Sequence, residues 1–263
     1  MIGYLQVLGA VSIWAFFNGV LVKGIKTSGV GVGMWTGIFG AFFCLIGIEG
    51  NLGPVSPAQL LGLAFLGGAA GLNNSFNYTA IKISIPVALL FHYLAPMLVI
   101  IWYFLIPPFY QPTNSKSLLA AGIGIIGMIY MAKPHLREGN SKLIIFGVAS
   151  AIFYSLEIVL SGYVSSTLGV AANTSSLAKL LFQAMIMPIV GLGLKESVEI
   201  TNSKDKYKLI LGGLLLYISF MLYFAGSATV SDLNRGVLGY IDRIGAIALG
   251  AYFFKEERSK ITK

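Results

Sequence analysis

The chain is poor in what a soluble surface is made from. Only 11% of its 263 residues are charged, against roughly 25% in an ordinary soluble domain. So few charges cannot solvate a globule of this size, so lipid must cover it instead. There is one cysteine, Cys44, inside an apolar stretch. It can form neither an intrachain disulfide nor a Cys-based metal cluster. No Walker motif, zinc spacing or nucleophile elbow occurs, so an ATP-driven pump and a membrane hydrolase find no support. No cofactor or metal is expected. Linkers and low-complexity segments are absent too, and the longest polar connection is Lys195 to Lys208.

What the chain has in abundance is hydrophobic length. Hydrophobic residues make up 56% and mean hydropathy is +0.81. Nine apolar stretches cover residues 3–22, 31–48, 58–79, 85–106, 117–132, 142–163, 176–194, 208–229 and 235–254. Most hold about 20 residues, which suits a hydrocarbon core about 30 Å thick at about 1.5 Å per helical residue. Period-2 alternation of the barrel type is missing, and unpaired backbone is costly in lipid, so the spans are predicted to be helices. The fold class is an all-α, polytopic integral membrane bundle. Met1 to Val22 lacks a basic n-region, so no cleaved signal peptide is expected. The net charge of +8 does not point to nucleic acid, because the basic residues sit in short loops between spans.

The chain reads as a duplication. Around the fourth span it runs LLFHYLAP from Leu89 to Pro96, and around the ninth GVLGYIDR from Gly236 to Arg243. Tyr93 and Tyr240 match at a spacing of 147, and Asn18, four after Trp14, matches Glu157, four after Phe153, at 139. Loops of unequal length account for the difference. A unit of five helices is odd, so its second copy starts on the opposite side of the membrane and the repeat is inverted. The units are 1–138 and 139–263. The second is one span short, and a tenth helix is expected where the chain stops.

Three segments carry a resemblance to a known family: Trp14 to Lys23; NYTAIKISIPVALLFHYLAP from Asn77 to Pro96; and SATVSDLNRGVLGYIDRIGAIALGAYFFKE from Ser227 to Glu256. The chain resembles the drug/metabolite transporter superfamily in its ten-helix EamA-domain form. That pattern is an alanine-rich end of the third helix, a tight turn, a helix ending Tyr-Leu-x-Pro, and a glutamate after the apolar run. Here Arg243 replaces the second unit's proline, Asp242 stands where an acid is common, and the first unit lacks the acid after its fourth helix. The resemblance implies a carrier with its cavity lined by helices 1, 3, 4, 6, 8 and 9. It does not fix the substrate.

Charge sets an expected orientation. Fourteen lysines and arginines follow odd-numbered spans, while Lys116 and Arg235 alone lie on the other side. This predicts that the N-terminus is outside and loop 195–207 is cytoplasmic, in the cell membrane. The family's usual topology is the reverse.

Polar residues within spans are the candidate site. Glu157 lies mid-span, where a charge costs at least about 2.5–3.5 kcal/mol. It is read as a ligand for a substrate amine or as a proton-coupling carboxylate, with a fixed salt bridge as the alternative. Arg243 either forks onto a substrate carboxylate or phosphate, or clamps Glu157 or a helix end. Asp242 is adjacent to it but points about 100° away on a helix, so it is not taken as the partner. Asn73 and Asn77 share a face at i, i+4, as lining or as interhelical glue. His92 and Tyr93 precede Pro96, which frees the His92 carbonyl and kinks the helix. Asn18 and Tyr240 enter as repeat-matched positions, and Trp14 and Tyr223 as aromatic walls. Lys179, near a span end, is expected to snorkel to the headgroups. Arg235 and Asp232 are assigned to the interface. Gly122, Gly124 and Gly127 spell GxGxxG without the strand and acid a dinucleotide needs, and are read as helix packing, like Gly33 with Gly37 and Gly67 with Gly71.

The reading is a secondary transporter of small polar metabolites, with amino acids or related zwitterions suited by an acid and an arginine together. The expected partners are a small-molecule substrate and membrane lipid. A passive channel or pore is one rival, and an intramembrane lipid-acting enzyme is the other.

Overall fold

The computed structural model describes residues 1–47, 54–111, 115–137, 141–200 and 202–255, with the backbone alone for 128, 129 and 131–137. Glu256, the acid of the family pattern, falls outside them. The described residues are helical, with no strand among them. They form nine long helices: α1 (Ile2–Val22), α2 (Gly29–Gly47), α3 (Pro57–Ile83), α4 (Ile85–Leu105), α5 (Ser115–Arg137), α6 (Ser141–Thr167), α7 (Ala172–Leu194), α8 (Ser203–Ser227) and α9 (Asp232–Phe253).

Six of these, α1, α2, α4, α6, α7 and α8, are long and apolar enough to cross a membrane. At 27 and 22 residues, α3 and α9 also have the length. What lowers their hydropathy is the asparagines of α3 and the Asp232, Arg235, Asp242 and Arg243 of α9. All of those side chains point inward and are buried. The outside is the reverse. Phe42, Leu45, Phe65, Phe104, Ile123, Ile145, Met185, Ile189 and Ile244 are exposed on helices all around the bundle. Apolar residues outside and polar ones inside make this a polytopic helical membrane bundle.

Local sequence explains the breaks. Ser56 opens α3 with a reciprocal cap: its Oγ accepts from Gln59 N at 3.3 Å, and Gln59 Oε1 accepts from Ser56 N at 2.9 Å. Pro57 follows in the first helical position, where a missing N–H costs nothing. In α4, Phe91–Leu94 tighten into a 3-10 turn just ahead of Pro96. A proline cannot donate to the carbonyl four residues back, so the helix adjusts there, as the sequence predicts. The C-terminal ends of α1, at Phe17–Val22, and of α6, at Tyr163–Thr167, both widen into π-turns.

Helix ends gather into two groups. At one end Asn234 donates to Tyr4, Gln59 to the Leu168 carbonyl, and the Asp232 N–H to Gln111. At the other, Lys23 donates to the Lys82 carbonyl, Ser28 to the Ser197 carbonyl, Lys208 to the Gly24 carbonyl, and the Lys26 N–H to Asp205. The second end also holds Lys195, Lys204 and Lys206, so it is the basic end.

The packing has a regular pattern. α1 packs on α8 and α6 on α3; α2 packs on α8 and α7 on α3; α1 packs on α9 and α6 on α4; α2 and α7 pack on each other. Small residues allow the approach. A Cβ on Gly213 of α8 would lie 2.7 Å from the Gly40 nitrogen of α2, and one on Gly37 would lie 3.0 Å from the Leu180 carbonyl of α7. Gly33, Gly67 and Gly71 likewise abut Met187, Phe182 and Ile186. Of the GxGxxG glycines Gly124 faces Tyr240, while Gly122 and Gly127 face none of the described residues within 4 Å.

Candidate functional site

Two thirds along its length, α3 turns three asparagines inward, and the middle of α6 faces them. Glu157 of α6 is buried there with both oxygens engaged. Oε1 pairs with the ammonium of Lys179 on α7. Oε2 accepts from Asn73 Nδ2 at 2.9 Å. The network continues through Ser150 Oγ, which donates to Asn73 Oδ1 at 2.8 Å and lies 2.5 Å from His92 Nε2. The His92 ring stacks on Tyr154, centroids 4.9 Å apart and planes 16° from parallel. This aromatic pair also meets charge, with the Arg243 guanidinium 4.6 Å from the Tyr154 centroid. Arg243 pairs with Asp242, and Asn18 Nδ2 donates to Asp242 Oδ1 at 3.3 Å. Asn74 donates to Gln183 at 2.7 Å, which donates to the Gly33 carbonyl at 3.0 Å.

These groups line a cavity of about 30 Å3. That is room for about one water. The acidic and basic groups on its wall balance, with Glu157 and Asp242 against Lys179 and Arg243. Two charge pairs can be buried this way where lone charges could not. Asn18 Oδ1, Asn77 Oδ1, His92 Nδ1 and the Tyr154 hydroxyl are buried on this wall without a partner among the described residues. A buried unpaired polar group costs about 1–3 kcal/mol, so the wall favours a polar occupant.

Seven of the ten predicted site residues line this cavity: Trp14, Asn18, Asn73, Asn77, His92, Glu157 and Arg243. Tyr93 and Tyr240 do not. They stack on each other, centroids 4.7 Å apart, and Tyr240 donates to the Tyr93 carbonyl at 3.2 Å. Tyr223 sits one layer back, behind Trp14. Of the helices the resemblance implied, all six contribute, and α7 joins them through Lys179.

Three expectations are corrected. Lys179 does not snorkel: it is 2% exposed, because α7 begins at Ala172 and places it two turns inside, opposite Glu157. Glu157 is therefore not clamped by Arg243, which takes its own neighbour Asp242 instead. Arg235 and Asp232, in the first turn of α9 at a bundle end, face into the bundle rather than toward headgroups. Both are 0% exposed and paired one helical turn apart. Arg235 also donates to Ser161 Oγ at 2.6 Å, Ser227 Oγ at 2.7 Å and the Ile158 carbonyl at 3.0 Å, while the Tyr103 hydroxyl donates to Asp232 at 3.1 Å. This knot ties α4, α6, α8 and α9 together at the end away from the lysines. Asn74, Tyr78, Tyr154, Lys179, Phe220 and Asp242 also line the wall, although the sequence reading did not commit them to the site.

No family model matches the chain. An S-adenosylmethionine uptake transporter of Rickettsia conorii is 23% identical over 145 residues, which are 53% of this chain and 46% of that protein. The match thus spans under half the relative's length. Among solved structures, one crystal structure aligns with 95% of this chain and 88% of its own, at a TM-score of 0.70 and 16% identity. At that identity the likeness is one of fold, and the fold is shared across nearly the whole chain.

Proposed function

We propose that the chain is a secondary carrier of small polar metabolites that works by alternating access. The observation that carries this reading is the central cavity, which lies at mid-bundle and is walled by two balanced ion pairs and by polar atoms without a partner among the described residues. So small a cavity favours a carrier over a pore, because a pore needs a continuous path. Some 30 Å3 is too little for a metabolite, so cargo enters when one end opens. In this reading the Asp232–Arg235 knot holds one end of the bundle together, and the Asp205, Lys82 and Lys208 contacts hold the other.

The packing pattern supports an inverted repeat. Exchanging α1–α4 for α6–α9 turns α1–α8 contact into α6–α3, α2–α8 into α7–α3, and α1–α9 into α6–α4, all of which occur. Units related in this way give two closures of similar energy around one site. The family resemblance and the named uptake function of the Rickettsia relative point the same way. A zwitterion fits the chemistry, its ammonium at Glu157 and its carboxylate at Arg243. S-adenosylmethionine itself carries an amino-acid zwitterion, so it belongs in the first panel. Its lysines favour a cytoplasmic position for the basic end.

Purified protein in proteoliposomes should take up at least one labelled amino acid or S-adenosylmethionine, saturably. Glu157→Gln, correctly inserted, should abolish uptake. Full uptake by that variant would remove Glu157 from the mechanism.

A further inference from the structure

The ammonium of Lys179 lies inside an aromatic cage. Its Nζ is 3.7 Å from the Phe220 ring centroid, 5.5 Å from Trp14, 5.9 Å from Phe224 and 6.0 Å from Tyr223. The Glu157 carboxylate closes the remaining side. The rings hold one another in place. Trp14 is 5.0 Å from Tyr223 and 6.0 Å from Phe220, Tyr223 is 5.9 Å from Phe224, and the indole N–H donates to Ser219 at 2.8 Å. Trp14, Phe220 and Glu157 also line the central cavity, so the cage opens onto it.

A buried lysine–glutamate pair does not require four rings. Aromatic faces attract positive charge through their quadrupoles and accept methyl groups that a hydrogen-bonding site would leave unsolvated, which makes such a cage a receptor for methylated onium groups. An ammonium is a poorer occupant. It has three N–H donors to satisfy, and rings are weak acceptors. We propose that this cage is the onium subsite of the carrier: it takes a sulfonium or quaternary ammonium group of the cargo, and Lys179 holds that place while the site is empty. The proposal rests on the carrier reading above.

Two consequences follow. The tethered lysine keeps Glu157 neutralised, so the empty site can close without stranding a buried charge. It also competes with cargo. The apparent affinity of an external cation falls by the fraction of time the cage is free, and removing the lysine head removes that handicap.

The test uses the full chain in detergent with Trp35 and Trp102 changed to Phe, so that Trp14 alone reports. Tetramethylammonium chloride is titrated against sodium chloride at equal ionic strength. Saturable quenching by tetramethylammonium alone is expected. Lys179→Met should tighten it by at least about ten-fold, and Phe220→Leu should weaken it by a similar factor with the lysine in place. Equal affinity in Lys179→Met and the parent, or unchanged affinity in Phe220→Leu, overturns the proposal. So does the absence of saturable binding in every folded variant. If Lys179→Met fails to fold, the Phe220→Leu comparison decides alone. The two readings fail separately. Transport of zwitterions with tetramethylammonium neither binding nor competing sinks the subsite and leaves the carrier. Tetramethylammonium binding that meets these criteria, with no transport of any cargo, does the opposite.

Discussion

Removing the charge of Glu157 should destabilise the protein through Lys179 rather than through Arg243. In Glu157→Gln the amide keeps its volume and the Asn73 contact, but the Lys179 ammonium loses its counter-charge while remaining 2% exposed. Breaking one side of a buried ion pair costs about 3–5 kcal/mol. The cage rings offset about 2 kcal/mol of that. The net loss is then on the order of 1–3 kcal/mol. With about 2–4 °C lost per kcal/mol for a chain of this size, Tm should fall by on the order of 2–12 °C. Adding Lys179→Met removes the stranded charge and should restore most of that loss. Adding Arg243→Gln should not, because Arg243 pairs with Asp242. Tm values of the single and double variants in one detergent close the cycle. Rescue by Arg243→Gln together with failure of Lys179→Met would refute the pairing described here.

Other outcomes follow from the same structure. Arg235→Met strands Asp232, which is 0% exposed, and should cost about 3–5 kcal/mol by thermal unfolding, whereas a surface change such as Lys206→Met should cost nothing measurable. Gly213→Leu forces α8 from α2 at a contact of 2.7 Å and should cost about 1–3 kcal/mol in the same assay. Cysteines at Val55 and Gly169 should react with an impermeant maleimide on whole cells, while one at Lys206 should not and Cys44, buried, should stay silent; the reverse pattern would invert the orientation. In an experimental structure α1–α4 should superpose on α6–α9 through an axis in the membrane plane, and an axis along the membrane normal would contradict the inverted repeat.

The helices were legible because a bilayer demands about 20 apolar residues in a row, and run length survives in a single sequence. Glu157, Asn73, Asn77 and Arg243 were legible for the complementary reason: polar groups in a span must turn inward. What the sequence hid was pairing. Lys179 looked like a helix-end residue, yet a signal was present, since Ser175, Lys179 and Gln183 recur at i, i+4, i+8 and all three are buried. Asp232 and Arg235 are likewise one turn apart, a spacing that suits a pair. The aromatic cage could not be foreseen, because Trp14 and Phe220 come from helices separated by some 200 residues. Tyr93 and Tyr240 show the opposite error. Their repeat match suggested a place in the site, and they stack on each other outside it.

Counterflow tests the central claim most directly. Proteoliposomes preloaded with unlabelled S-adenosylmethionine, or with an amino acid found to be transported, are diluted into a trace of the labelled compound. A carrier with one central site predicts a transient accumulation of label above equilibrium, with initial rates that saturate. Label that only equilibrates, at a rate linear in concentration and indifferent to what is inside, would contradict it.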